Sequence, residues 1–172
     1  MNYFPTESGR YYYSFTHGGV YFLLLDGGED KGDDSEEYSG LAAFEDYLSQ
    51  QTEWLKAELR SPAFRAARFR VCMLHIPPAP DSEEKAAKFV RAPWIRDTWS
   101  PMLSEAGIDL MLSGHTHRYA ELPVDEKRAY PIVVGGTNTV IRVDVSPERL
   151  EMTTFNDDGT VLSRPPEVPR KR

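Results

Sequence analysis

The densest group of metal-ligating side chains in these 172 residues is Gly114-His115-Thr116-His117, which holds two of the chain's four histidines. Histidines two apart on extended backbone project to the same side with Cα atoms roughly 6.5–7 Å apart, so both imidazoles face one cation or two adjacent ones. The glycine ahead of them allows a sharp turn after a strand, over the carboxyl end where open α/β sheets hold their ligands. His75 ends a second apolar run, Phe69 to Leu74, and is followed by Pro77-Pro78, which halt a strand. If the strands ending at Leu74 and Leu112 are neighbours, His75, His115 and His117 converge on one rim as candidate metal ligands. Neutral imidazole suits zinc, iron and manganese alike, so the metal is not named by its ligands.

Other polar residues read differently. His17 precedes Gly18-Gly19 at a hairpin tip, where polar residues are ordinary. The acidic stretch from Glu29 to Glu37 lacks the positional pattern of a calcium loop and reads as a solvated loop. Lys85, Lys88, Arg91 and Arg96 read as solubilising surface rather than as a guide for an anionic substrate. Arg118 adjoins the histidine pair, where it either meets a phosphate or points away. Cys72 is the only cysteine, so it has no internal disulfide partner, and its apolar surroundings offer nothing to lower its pKa.

These residues need a scaffold, and the composition supplies one. Apolar residues make up 40% and aromatics 12%, enough for a core without staples, which excludes wholesale disorder. No apolar run approaches the roughly 18–20 residues of a membrane span. A net charge of -7 disfavours nucleic acid as the main partner. Met1-Asn2-Tyr3-Phe4-Pro5 shows no basic segment leading into an apolar one, so no signal peptide is expected here.

Tyr11 to Phe15 and Val20 to Leu25 predict a hairpin about Gly18-Gly19. Leu41, Phe44, Leu48, Leu55 and Leu59 fall at helical spacing, ended by Ser61-Pro62. Phe69 to Leu74 and Asp109 to Leu112 predict buried strands, with a second helix between them near Trp94 to Ala106. Tyr130 to Val134, Val140 to Val145 and Leu150 to Phe155 predict a closing antiparallel set. Residues 1–163 read as one unit, and the basic, proline-rich 164–172 as a loose tail.

His75-Ile76-Pro77, followed some forty residues later by a strand and Gly114-His115-Thr116-His117-Arg118-Tyr119, resembles the calcineurin-like metallophosphoesterases, in particular the purple acid phosphatase-like branch. The hairpin ending in Leu25-Asp26-Gly27-Gly28 and the helix with Gln51-Thr52-Glu53-Trp54-Leu55 agree, and the resemblance spans roughly Tyr11 to Leu162. It implies an α/β fold: a four-layer α/β/β/α sandwich of mixed sheets. It also implies two cations that activate a shared water for attack on a phosphate ester. Transferred by position, His75 and His115 would hold the second metal, His117 the first, and Arg118 and Tyr119 would meet substrate. The branch leans toward exported or periplasmic proteins.

The sequence departs from that family in its first half. There is no D-x-H motif and no Asn-His pair. Gly32-Asp33-Asp34-Ser35-Glu36 matches G-D-x-x-E only by letters, since no apolar strand precedes it. The chain therefore resembles the carboxy-terminal half of a phosphoesterase, with the amino-terminal half missing as a partner. Three neutral imidazoles hold at most one of the two ions, so the expectation is weak or absent turnover by the chain alone, with a tendency to self-associate. The same residues also suit a non-catalytic module with one structural metal or none, acting by binding. A cupin reading of His115, His117 and Glu121 lacks the earlier glycine and the later histidine. An amidohydrolase barrel needs about 250 residues, more than this chain has.

Overall fold

Two glycines in sequence set the first element. Gly18 and Gly19 both take positive φ, 59° and 82°, the conformation a two-residue hairpin turn demands. They join β1 (Tyr13–His17) to β2 (Val20–Leu25) in antiparallel register, with His17 opposite Val20. The computed structural model describes residues 9–79 and 90–170.

From β2 the chain runs through a 3-10 turn (Glu36–Tyr38), α1 (Phe44–Glu58) and α2 (Pro62–Ala66) to β3 (Phe69–Leu74), which lies parallel to β2. Ser61-Pro62 does more than end a helix: Ser61 Oγ accepts from the Phe64 amide and Pro62 starts α2, the favoured placing for each residue. Next come α3 (Arg91–Ala106), β4 (Leu110–Ser113), β5 (Ala120–Leu122) and β6 (Ile132–Val134). The first sheet has order β1-β2-β3-β4-β6-β5, with β2, β3, β4 and β6 parallel. Parallel strands covered on both faces read as continuous apolar runs, as these do. A second, antiparallel sheet places β8 (Arg149–Asn156) between β7 (Thr139–Val145) and β10 (Val168–Pro169), with β9 (Val161–Ser163) also on β8.

The layers follow from side-chain alternation. Leu23, Leu25, Cys72, Leu74, Met111 and Ile132 face the helices and meet Leu48, Leu55, Phe64, Ile95, Trp99 and Leu103. Val20, Phe69, Val71, Leu110 and Val133 face the second sheet and meet Leu150, Met152 and Val168. The result is a mixed α/β fold of three layers, helices on sheet on sheet. This agrees with the expected mixed α/β fold, of which the chain was read as a part; the far side of β7 exposes Val140, Arg142 and Asp144.

Two sequence expectations change. The segment expected to be loose forms β10, with Val168 buried and the Arg170 amide bonded to the Glu148 carbonyl; one valine between the sheets and a short ladder suffice to order it. The acidic stretch is built rather than merely solvated. Asp33 Oδ1 and Oδ2 accept from the Phe44 and Glu45 amides at 2.8 and 3.1 Å, capping α1 from a distance, and Glu45 accepts from the Asp33 amide. That gives the G-D-x-x-E letters a structural use.

Candidate metal centre

β3 and β4 are parallel neighbours, so their carboxyl ends emerge side by side, as the sequence reading required. The ladder extends one step past them, with the Gly114 amide donating to the His75 carbonyl at 3.0 Å. This brings the His75 and His115 rings to 5.3 Å between centroids at 88°, one edge against the other face. His117 is exposed and lies within electrostatic reach of His75. Burial lowers the pKa of His75 below the ordinary histidine value; the other two imidazoles push the same way, and Glu29 opposes them. His75 is thus held toward the neutral form, the one that ligates metal.

The turn is not made as expected. Gly114 keeps an ordinary φ, and the left-handed conformation falls on His115 (φ 69°) and His117 (φ 60°) themselves. The segment is a succession of bends and not extended backbone, so the spacing argument for His115 and His117 does not apply; the ring contact is between His75 and His115. Left-handed conformation in bulky residues costs on the order of 1–2 kcal/mol each and clusters at functional sites. The loop is held by its neighbours. Thr137 donates to the His117 carbonyl from both its amide and its hydroxyl at 3.2 Å, and the Thr116 hydroxyl donates to the Arg118 carbonyl at 3.0 Å. Gly136 permits the approach: a Cβ there would stand 2.6 Å from the Tyr119 amide nitrogen.

Around this rim the other expected residues divide. Arg118 is exposed beside the histidines. The Tyr119 hydroxyl donates to Glu121 at 2.8 Å and accepts from Thr154 at 3.3 Å, tying the rim to β8. Lys85 and Lys88 lie outside the described residues, and Arg96 pairs with Asp97. Arg91 is neither solubilising surface nor substrate guide: it is 2% exposed and bonded to backbone of the acidic loop, because α3 begins against that loop. Cys72 is fully buried, which drives its thiol pKa far up and makes it inert.

The sequence reading missed two contributors. Gln51, with no exposure, accepts from the Asp26 amide and donates to the Asp26 carbonyl, clamping the end of β2 to α1. Asp26 in turn accepts from Tyr47 and from the Gly28 amide. The second is Asp30, whose Oδ2 stands 4.0 Å from His115 Nε2. No local pattern marks it out, since nearly all its neighbours in sequence are polar or acidic. Among the described residues no group of three or more His, Cys, Asp or Glu side chains is arranged so that it could hold a metal ion.

The mixed α/β fold is shared with solved proteins of low sequence identity. The structure aligns with purple acid phosphatase PPD1 from yellow lupin seeds with a TM-score of 0.67 at 15% identity, over 95% of this chain and 34% of that one. It aligns with GAP50, "the anchor in the inner membrane complex of Plasmodium", with a TM-score of 0.60 at 13% identity, over 94% of this chain and 54% of that one. The chain therefore spans between a third and about half the length of these proteins. No protein-family model matches the sequence, and a search of curated proteins finds no significant match.

Proposed function

We propose that this chain carries the histidine-bearing part of a metal-dependent phosphoesterase site, of the calcineurin-like, purple acid phosphatase-like kind. His75 and His115 hold a cation, with His117 beside them and Arg118 positioned to meet a phosphate. One observation carries the reading: the edge-to-face contact of His75 and His115 at the carboxyl ends of adjacent parallel strands. When bound, such a cation polarises a phosphoryl oxygen. What the chain's own residues do is orient the ligands, keep His75 neutral and offer a guanidinium to the anion. Three neutral imidazoles do not offset two cations, so further anionic ligands come from polypeptide beyond this chain, and turnover by the chain alone is weak or absent.

The test pairs metal content with turnover of monoester and diester substrates in added zinc, manganese or iron. At most one ion per chain is expected, lost in His115→Ala, with little hydrolysis. Robust turnover by the isolated chain would overturn the incomplete-site reading, and metal content unchanged in His115→Ala would overturn the ligand assignment. The second reading, a module acting by binding with one structural metal or none, draws on the likeness to GAP50, whose description is that of an anchor. Metal bound without any turnover, even after addition of a complementary amino-terminal half, favours it.

A further inference from the structure

At the end of the first sheet opposite the histidine rim, α1, α2 and α3 bring their carboxyl-terminal ends together beside the start of β3. They border a cavity of about 520 Å³, within the roughly 300–1,000 Å³ of small-molecule sites. Its charge runs against that of the chain. Lys56, Arg60, Arg65 and Arg70 line it, with Glu105 as the one acidic lining residue, in a protein whose net charge is -7.

Helix ends account for part of this, since cations in a last turn complement the carbonyls there. They do not account for the absence of ion pairs. Elsewhere Arg96, Arg128, Arg142 and Arg149 stand 2.7, 3.1, 2.9 and 3.1 Å from a carboxylate. Arg60, Arg65 and Arg70 pair with no carboxylate among the described residues, although Glu105 lines the same cavity. Arg70 is the fixed point. Its Nε donates to the Phe64 carbonyl at 3.0 Å and its Nη2 to the Arg65 carbonyl at 3.2 Å, while Cζ lies 5.1 Å from the centroid of the Phe64 ring. These contacts hold the plane of the guanidinium and leave the two N–H bonds of Nη1 without a partner among the described residues. A donor group held in place suits an oxyanion. Arg60 and Arg65, both exposed, add charge, and the half-buried Leu59, Met102 and Ala106 supply apolar surface beside it.

We propose that this cavity binds a small organic oxyanion of more than one negative charge, a phosphorylated or polycarboxylated molecule. Arg70, Arg60 and Arg65 hold its anionic group, and its body lies on Leu59, Met102 and Ala106. The site is separate from the rim and stands independently of the histidine reading.

Calorimetric titration of the full chain in metal-free buffer with ATP, pyrophosphate and citrate tests it, with thermal melts confirming that each variant folds. The parent is expected to bind ATP or citrate, and the tighter of the two identifies the phosphate or the carboxylate source. The double variant Arg60→Glu, Arg65→Glu is expected to weaken that binding by about tenfold or more, and Arg70→Lys, which keeps the charge but not the planar fork, to weaken it as well. Arg118→Ala at the distant rim is expected to stay within about twofold of the parent. If Arg118→Ala removes binding while the double variant retains it, the anion sits at the rim and the cavity proposal falls. Pyrophosphate bound as tightly as ATP, with citrate bound no better, would show that the organic body contributes nothing and overturn that part. Binding confined to polyglutamate or single-stranded DNA would put a macromolecule in place of the small ligand, and no binding of any probe would leave the cavity without the assigned role; either result overturns the proposal.

Discussion

The two ends of β4 show how differently one strand can be finished. At its amino-terminal end, Asp109 exchanges backbone and side-chain hydrogen bonds with Arg70: its amide donates to the Arg70 carbonyl at 2.9 Å, and Oδ2 accepts from the Arg70 amide at 2.8 Å. Beside it lies a cavity of about 540 Å³ lined by Pro123, Pro131, Ile132, Met152, Pro165 and Val168. At the carboxyl end the strand passes into Gly114 and two histidines in left-handed conformation, with three imidazoles and Asp30 at an open rim. That cavity is lined mainly by apolar residues, with Asp109, Glu121 and Glu167 among them, and none of the histidines lines it. The proposed histidine site therefore lies away from that cavity, at the carboxyl ends of the parallel strands.

Substitutions at each end sharpen the contrast. Leu110→Ala, in the fully buried start of β4, is expected to cost about 2–5 kcal/mol in denaturant unfolding. Zn2+ affinity per folded molecule should stay unchanged, and a parallel loss of affinity would mean that the two ends are not independent. Gly136→Ala acts at the rim: a Cβ 2.6 Å from a backbone nitrogen forces the Tyr119 segment away. It is expected to cost about 1–3 kcal/mol and to weaken metal binding as well. An undisturbed rim in that variant would show that the close approach to Tyr119 does not hold the histidine loop.

The smallest effect carries the opposite sign. His117→Gly removes a side chain from a left-handed residue that is exposed, and is expected to raise stability by up to about 1 kcal/mol while reducing metal retention. A loss of stability instead would mean that His117 makes packing contacts worth more than its strain.

A related surface belongs to the hairpin. Tyr13, Phe15 and Phe22 stack along one face of β1 and β2, with Phe15 44% exposed, and β1 is the end strand of its sheet among the described residues. Exposed aromatics on an end strand favour association between chains, which is the behaviour expected of the isolated protein.

Much of the frame was legible in the residue order. Gly18-Gly19 between aromatic runs specified the hairpin, the spacing of Phe44, Leu48 and Leu55 specified α1, and the two short apolar runs ending near His75 and His115 specified β3 and β4. Each of these is a local pattern, so each could be read locally. The acidic loop was not legible in this way, because its uses are distant: Asp33 caps a helix eleven residues on, and Arg91 reaches back sixty-two residues to the Glu29 carbonyl. The tail became a strand because of one buried valine whose pocket exists only once the sheets have packed.

By itself, the order of residues determined which side chains could bind a cation and that two of them end apolar strands, since hydrophobic periodicity and ligand chemistry are properties of the local chain. Only the tertiary structure decided which rings meet, that the histidines themselves take the left-handed turn, and that a buried guanidinium holds Asp30 within reach of His115. Those outcomes depend on distances between segments far apart along the chain, which are set when helices and sheets close on one another.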